Sequence, residues 1–359
     1  MTASRSLRPV HLAGTAVLAV ALTLTGCTKS EDSGGTSTAS SGGEQVAQED
    51  SSGPTCDLEQ YGGEKVDLKN AIVGFSQSEK EANPFRIAET QSIKEQAQQA
   101  GVGQLLTTNA NSQLNKQISD IQDMINQGAQ ALIVAPLNSD GLEPALAAAR
   151  AKNIPVLTVD RKVNSEPCED YVAFLGSNFV EQGKRAAQEM AKALGNKGKV
   201  AILLGSSGNN VTTDRTDGFV DELKATAPDI EIVAQQTGEF TREKGQQVME
   251  QIIQAQPDIT GVYAENDEMG LGALVALRSA GKTPGTDVQV VSIDGTRNAV
   301  QKVVDGEMFA VVESNPRFGP LAFDTLEKFL NGEAVPQNVV ITDKLYGKDN
   351  APAEVSNAY

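Results

Sequence analysis

The chain reads as an α/β protein of two doubly wound, Rossmann-like domains, and three observations predict this. From about Lys69 onward, short β-branched runs alternate with amphipathic stretches. The runs lack strict polar–apolar alternation, which suits a parallel sheet buried on both faces under helices. The alternation falls into two series of similar size, and 359 residues are enough for two domains.

In the first series "NAIVGFS" is a strand before a helix over Pro84–Ala100. "VGQLLTT" leads into a helix over Asn111–Gln127, where Leu114, Ile118, Ile121 and Ile125 mark one face. "AQALIVAP" precedes a helix over Gly141–Lys152, and "IPVLTVD" follows. After "DYVAFLGSN" a helix over Phe179–Leu194 opens the second series. There "KVAILLG" precedes a helix over Asp214–Thr226, and "IEIVAQQ" one over Arg242–Gln254. "ITGVYAE" precedes Glu268–Ala280, and "VQVVSID" precedes Arg297–Asp305. "MFAVVES", a helix over Pro316–Leu330 and a tail with "NVVITDKLY" close the set.

Composition excludes several functions. Forty-seven acidic residues against 30 basic ones give a net charge of −17, which repels a nucleic acid backbone. The only histidine is His11, so Ser-His-Asp and Cys-His nucleophile systems and histidine metal sites are excluded from the body. No cofactor or metal site is expected.

His11 itself falls in a segment expected to be removed. Arg5 and Arg8 flank an apolar run over Val10–Leu24 that is too short to span a membrane comfortably, which reads as a secretory signal. Its end, Leu24-Thr25-Gly26-Cys27, resembles the bacterial lipobox, implying that Cys27 is lipidated; the alternative is an ordinary signal with a chance cysteine. The Ser-, Gly-, Thr- and acid-rich stretch that follows cannot bury a core and reads as a flexible tether. In an exported protein the remaining Cys56 and Cys168 are expected to pair, with two independent thiols as the alternative.

Ligands in open α/β sheets sit beyond the carboxyl ends of the strands. The residues found there are Ser76, Gln77, Asn83, Phe85 and Arg86, then Thr108 and Asn109, then Asp160 and Arg161. The second series adds Ser206, Ser207, Arg215, Phe240, Asn266, Asp267, Asp294, Glu313 and Ser314. Strand ends in any α/β protein are polar, but planar Asp, Asn and Arg groups beside phenylalanines go further. Such groups meet adjacent hydroxyls in one plane, and a phenyl ring covers the C–H face of a sugar. The acids disfavour a phosphorylated ligand, although three arginines leave that reading open.

Other patterns carry less. Gly270-Leu271-Gly272 lacks the third glycine of a dinucleotide fingerprint and lies inside a helical pattern. The turns "GKTPGTD" and "GNKGK" lack Walker spacing. Glu143, Asp267 and Glu268 could serve a glycosidase, yet such residues more often cap helices or face solvent.

Six ordered segments resemble one family, the type I periplasmic sugar-binding proteins of ABC transporters. They are "NPF" at Asn83–Phe85, "VDR" at Val159–Arg161, "DRTDGF" at Asp214–Phe219, "EFTREKG" at Glu239–Gly245, "ENDEMGLGA" at Glu265–Ala273 and "SIDGT" at Ser292–Thr296. The resemblance implies that Asn83, Phe85, Asp160 and Arg161 bind a sugar from the first domain, and Arg215, Phe240, Asn266 and Asp294 from the second. The ribose-binding pattern has a second aromatic where Arg86 stands and a glutamine near Ser314. "GFSQ", the aromatic–Arg pair, "DKLY" and the terminal Tyr359 look instead like the galactofuranose-binding branch. Arg86 is then expected to read an extra hydroxyl, and Glu313 to replace the glutamine.

The resemblance also implies a three-strand hinge, with crossings near Ser177–Asn178, Glu313–Ser314 and Lys344, that closes over the sugar. The expected organisation is a signal peptide over 1–26 and a tether over 27–56. A first sugar-binding domain over 57–177 plus 314–343 and a second over 178–313 plus 344–359 complete it. The expectation is a monomeric, lipid-anchored, extracytoplasmic protein that delivers a monosaccharide to an ABC permease and is not an enzyme. A sugar receptor for a membrane sensor kinase is the alternative, and a secreted glycosidase has less support. A LacI-type regulator would need a DNA-binding headpiece where the signal and tether stand.

Overall fold

The computed structural model describes residues 53–359. The expected signal segment, Cys27 and nearly all of the expected tether lie outside the described residues. The end of that tether differs from expectation. Thr55–Cys56 forms strand β1, buried Cys56 is bonded to Cys168, and the helical turn α1 (Leu58–Tyr61) follows at once.

The first βα series comprises β2 (Ile72–Gln77), α2 (Pro84–Ala100), β3 (Gln104–Asn109), α3 (Leu114–Asn126), β4 (Ala131–Val134), α4 (Glu143–Arg150), β5 (Val156–Val159) and β6 (Ala173–Ser177). The second runs through α5 (Phe179–Leu194), β7 (Gly198–Leu204), α6 (Asn210–Thr226), β8 (Ile230–Thr237), α7 (Arg242–Ala255), β9 (Gly261–Ala264) and α8 (Asp267–Ser279). It ends with β10 (Gln289–Asp294), α9 (Arg297–Val304) and β11 (Ala310–Glu313). The chain closes with α10 (Gly319–Leu330), β12 (Val335–Pro336), β13 (Asn338–Ile341), β14 (Leu345–Gly347) and α11 (Ala351–Glu354).

Two six-stranded sheets result, ordered β3-β2-β4-β5-β6-β13 and β8-β7-β9-β10-β11-β14. All pairings in the first are parallel; in the second only β14 runs antiparallel, against β11. The chain therefore passes between sheets after β6, after β11 and after β13. A short antiparallel pair, β1 with β12, ties the N-terminal end of the described chain to the first lobe.

Strands β4, β5, β9 and β11 are buried along their whole length, as continuous apolar runs require when helices cover both faces. On one face of the first sheet Val73, Phe75, Ile133 and Leu157 pack with Ile93 of α2 and Phe323 and Leu326 of α10. Leu132 and Val134 of the other face pack with Met124 of α3 and Leu146 of α4. Each such side chain contributes about 1.5–3 kcal/mol through burial.

Helix starts show where local backbone geometry and capping override periodicity. The expected helix from Asn111 begins at Leu114, because Asn111 and Ser112 adopt φ of 52° and 63°, outside the helical well. α6 begins at Asn210, earlier than expected, because the Asn209 side chain accepts a hydrogen bond from Thr212 N and caps it.

Candidate functional site

The carboxyl ends of both sheets face one cleft. It has an empty volume of about 320 Å³ and is lined by Glu79, Asn83, Phe85, Arg86, Asp160, Arg161, Val211, Arg215, Phe240, Asn266 and Asp294. Strand ends place most of these residues: Glu79 lies just beyond β2, Asp160 and Arg161 follow β5, Asn266 follows β9, and Asp294 ends β10.

On the first-lobe wall Asn83 caps α2, its Oδ1 accepting from Phe85 N at 3.0 Å, so the next residues enter the cleft in helical register. The Phe85 ring meets Tyr359 edge-on at 6.2 Å, and the Arg86 guanidinium sits 5.0 Å from the Phe85 ring centre. Arg86 Nη1 contacts Asp160 Oδ2 at 2.7 Å and Glu89 Oε2 at 2.8 Å, and its Nε contacts Glu79 Oε2 at 3.2 Å. Arg161 gives Nη2 to Glu79 Oε1 at 2.7 Å and Nη1 to Leu137 O at 3.0 Å. Burial pushes the Glu79 carboxyl up, but Arg161 and Arg86 outweigh it and hold the group down at about 2. Behind Arg86, burial pushes Glu89 above the usual carboxylate range against the pull of that same arginine.

The second-lobe wall is built differently. α5 and α6 touch at backbone distance: a Cβ on Gly183 would overlap Arg215 O, so glycine is needed to seat the turn that carries Arg215. Arg215 donates from Nε to Gln182 Oε1 at 2.9 Å and from Nη1 to the Glu265 carbonyl, while its Nη2 stands 3.5 Å from Asp294 Oδ1. Asn266 caps α8 by accepting from Met269 N at 3.0 Å and donates Nδ2 to Phe240 O at 3.1 Å. Gly205 leaves room for the Phe240 ring, which a Cβ there would strike. Buried Glu265 accepts from Gly205 N at 2.7 Å and from the Thr216 hydroxyl, and burial pushes it up to about 7. Burial also pushes Asp294 well above the carboxylate range despite Arg215.

Backbone strain marks both walls. Asp160 at φ 65°, Phe240 at φ 58° and Asp294 at φ 139° adopt conformations that L-residues rarely take, each costing about 1–3 kcal/mol. The surrounding hydrogen bonds hold them there.

The walls are drawn together at both ends. Across the mouth, Ser139 N donates to Gly208 O at 2.8 Å, Asn210 N to Ser139 Oγ at 3.1 Å, and Lys162 N to Asn210 Oδ1 at 2.9 Å. At the hinge the Asp343 carboxylate accepts from Ser177 Oγ at 3.2 Å, Gln182 Nε2 at 2.7 Å and Asn315 N at 3.4 Å, joining the three crossings.

A model of the family described as periplasmic binding protein domain matches residues 73–334. The chain belongs to this family. It is a family of binding proteins, not of enzymes. Among its members, the chain is 35% identical over 288 residues to the galactofuranose-binding protein YtfQ of Escherichia coli K12, covering 79% of this chain and 90% of that protein. Solved structures of similar chains include one from Mycobacterium smegmatis in complex with β-D-fucofuranose, with 37% identity, a TM-score of 0.76, and 80% and 94% of the two chains covered. Another is the binding component of the arabinose ABC transporter of Shewanella sp. ANA-3, bound to α- and β-L-arabinofuranose, with 34% identity, a TM-score of 0.76, and 80% and 95% covered.

Within this binding-protein frame, the structure brings Asn83, Phe85, Arg86, Asp160, Arg161, Arg215, Phe240, Asn266 and Asp294 to one cleft. Glu313 and Ser314 are placed elsewhere. The Glu313 carboxylate accepts from Lys344 N at 3.0 Å and Tyr346 OH at 2.9 Å, which turns it into the hinge, away from the lining. Ser314 N donates to Asp294 O at 2.8 Å, buttressing the strained Asp294 backbone from behind. The sequence reading missed Glu79 and Val211. Glu79 stands in a run of polar loop residues, "SEKEAN", where nothing local separates it from Glu81.

Proposed function

We propose that this protein captures a monosaccharide in its furanose ring form between its two lobes and delivers it to an ABC importer. The observation that carries the reading is the convergence of three guanidiniums, three carboxylates, the amides of Asn83 and Asn266 and two phenyl rings on one cleft. Paired planar groups recognise vicinal hydroxyls, and the rings cover C–H surface. Arg161 Nε, buried without a hydrogen-bond partner among the described residues, is a donor that a ligand hydroxyl would satisfy. The furanose-bound relatives support the ring form.

In this reading Asn83, Phe85, Arg86, Asp160 and Arg161 bind from a first domain over 57–177 plus 314–343. Arg215, Phe240, Asn266 and Asp294 bind from a second over 178–313 plus 344–359. Cys27 carries the lipid that holds a monomer at the outer face of the cell membrane, where the closed pair of lobes meets the permease. Among the described residues no helix is long and apolar enough to cross a membrane.

The test is a thermal-shift and calorimetric screen of the protein, stripped of carried-over ligand by unfolding and refolding, against D-galactose, D-fucose, L-arabinose, D-ribose and polyols. A sugar at 100 times its Kd adds about 2.7 kcal/mol of stability and raises Tm accordingly. A refolded protein that responds to none of them ends the sugar reading.

A further inference from the structure

Glu79 occupies an unusual position for a carboxylate in a cleft read as a hydroxyl-binding site. Its two oxygens are divided between two guanidiniums, Oε1 at 2.7 Å from Arg161 Nη2 and Oε2 at 3.2 Å from Arg86 Nε. Asp160 takes other edges of the same pair, 2.7 Å from Arg86 Nη1 and 3.7 Å from Arg161 Nε. Two arginines held side by side, each offering an N–H edge, form the arrangement that binds a carboxylate or phosphate in two-pronged fashion. Here that anion position is filled from within the chain. Glu79 is only 15% exposed at its side chain, and its two arginines are nearly fully buried, so water does little to screen the cluster.

We propose that Glu79 makes the cleft selective for neutral over anionic sugars. It occupies the anion position between Arg86 and Arg161 and sets its own charge against any ligand carboxylate or phosphate that approaches. The inference rests on the sugar reading of the same cleft and sharpens it to a substrate class: uncharged monosaccharides, with uronates and sugar phosphates rejected. The depressed titration of Glu79 accords with this, since the group stays ionised throughout the physiological range. Glu79 acts as a positioning residue for the two guanidiniums and as a repulsive element toward anions.

Four sugars that share their ring configuration isolate the effect. L-arabinose, D-fucose, D-galactose and D-galacturonate carry hydrogen, methyl, hydroxymethyl and carboxylate at the same carbon. Calorimetry on the full chain, stripped by unfolding and refolding, gives an affinity for each. Like charges brought together at a desolvated site cost several kcal/mol, so the native protein should bind D-galacturonate at least ~100-fold more weakly than its best neutral sugar. In Glu79→Gln that ratio should shrink by about tenfold or more, while Glu79→Asp, which keeps the charge, should retain most of it. A merely structural role for Glu79 would lower Tm in both variants and leave the ratio unchanged.

Native protein that binds D-galacturonate within tenfold of its best neutral sugar overturns the proposal without any variant. A folded Glu79→Gln with an unchanged ratio overturns it as well. Failure of the underlying reading has a different signature: the native protein binds none of the three neutral sugars and none of D-ribose and the polyols of the wider screen.

Discussion

On the first-lobe wall of the cleft, Arg86 and Arg161 are held charge against charge by Glu79, Glu89 and Asp160. On the second-lobe wall, Arg215 leans on the Gln182 amide and the Glu265 carbonyl, with Asp294 at a looser 3.5 Å. The first lobe is also stapled by Cys56–Cys168, whereas the second relies on glycine-mediated contact between α5 and α6. Both presentations seat a guanidinium rigidly in a buried site, but they fail in different ways. An ionic cluster is damaged most by losing one partner, because a charge is then left buried and uncompensated. A close-packed helix pair is damaged most by added volume.

The largest expected effect is on the covalent staple. The disulfide closes a sequence separation of 112 residues, and the chain-entropy model assigns such a loop about 4–5 kcal/mol. Reduction, or Cys56→Ser with Cys168→Ser, should split the urea transition so that the first lobe melts ahead of the second. A single transition with an unchanged midpoint would remove the staple from the comparison.

Next comes Asp160→Ala. It takes the 2.7 Å partner from Arg86 and should destabilise the protein by about 3–5 kcal/mol. Sugar affinity should fall below detection in the same variant. Retained calorimetric binding would take Asp160 out of the site.

On the other wall, Gly183→Ala drives a methyl group into the Arg215 backbone. The expected cost is about 1–3 kcal/mol of stability, with weakened sugar binding because Arg215 moves with α6. Normal affinity at reduced Tm would show that α6 yields without shifting the guanidinium.

The smallest effect concerns pH. Glu265 titrates at about 7 in the folded chain against 4.5 as its ordinary value, so folding favours its protonated form. The stability it contributes is fully present below about 4.5 and is lost as pH rises to about 7. Glu79, held at about 2, works in the opposite sense: its contribution is present above about 4.5 and lost as pH falls toward 2. Glu265→Gln should therefore flatten the decline of Tm between pH 4.5 and 7.5. An unaltered slope would assign the decline to other buried acids.

Local chemistry made much of this molecule legible in the sequence. Apolar runs buried on both faces, helical periodicity between them and polar residues at strand ends follow from hydrogen bonding and burial within a few residues. Those signals led to nine of the lining residues, from Asn83 to Asp294. Glu79 escaped because its loop is polar throughout; only the approach of β5, which brings Arg161 alongside, distinguishes it from its neighbours. Glu313 was misplaced for the converse reason. It ends a strand like the true cleft residues, but antiparallel β14 lies beside that strand, and Lys344 N just ahead of β14 and Tyr346 OH within it capture the Glu313 carboxylate.

By itself, then, the sequence determined the two α/β lobes and the chemical character of the cleft, since both arise from short-range pattern. The tertiary structure alone decided which charges meet. The Ser139–Asn210 mouth contacts, the Asp343 hinge cluster and the Glu79 bridge each join residues dozens of positions apart or more, through strand order and chain crossings. Pairing at that range depends on how the sheets are threaded, and no local propensity encodes it.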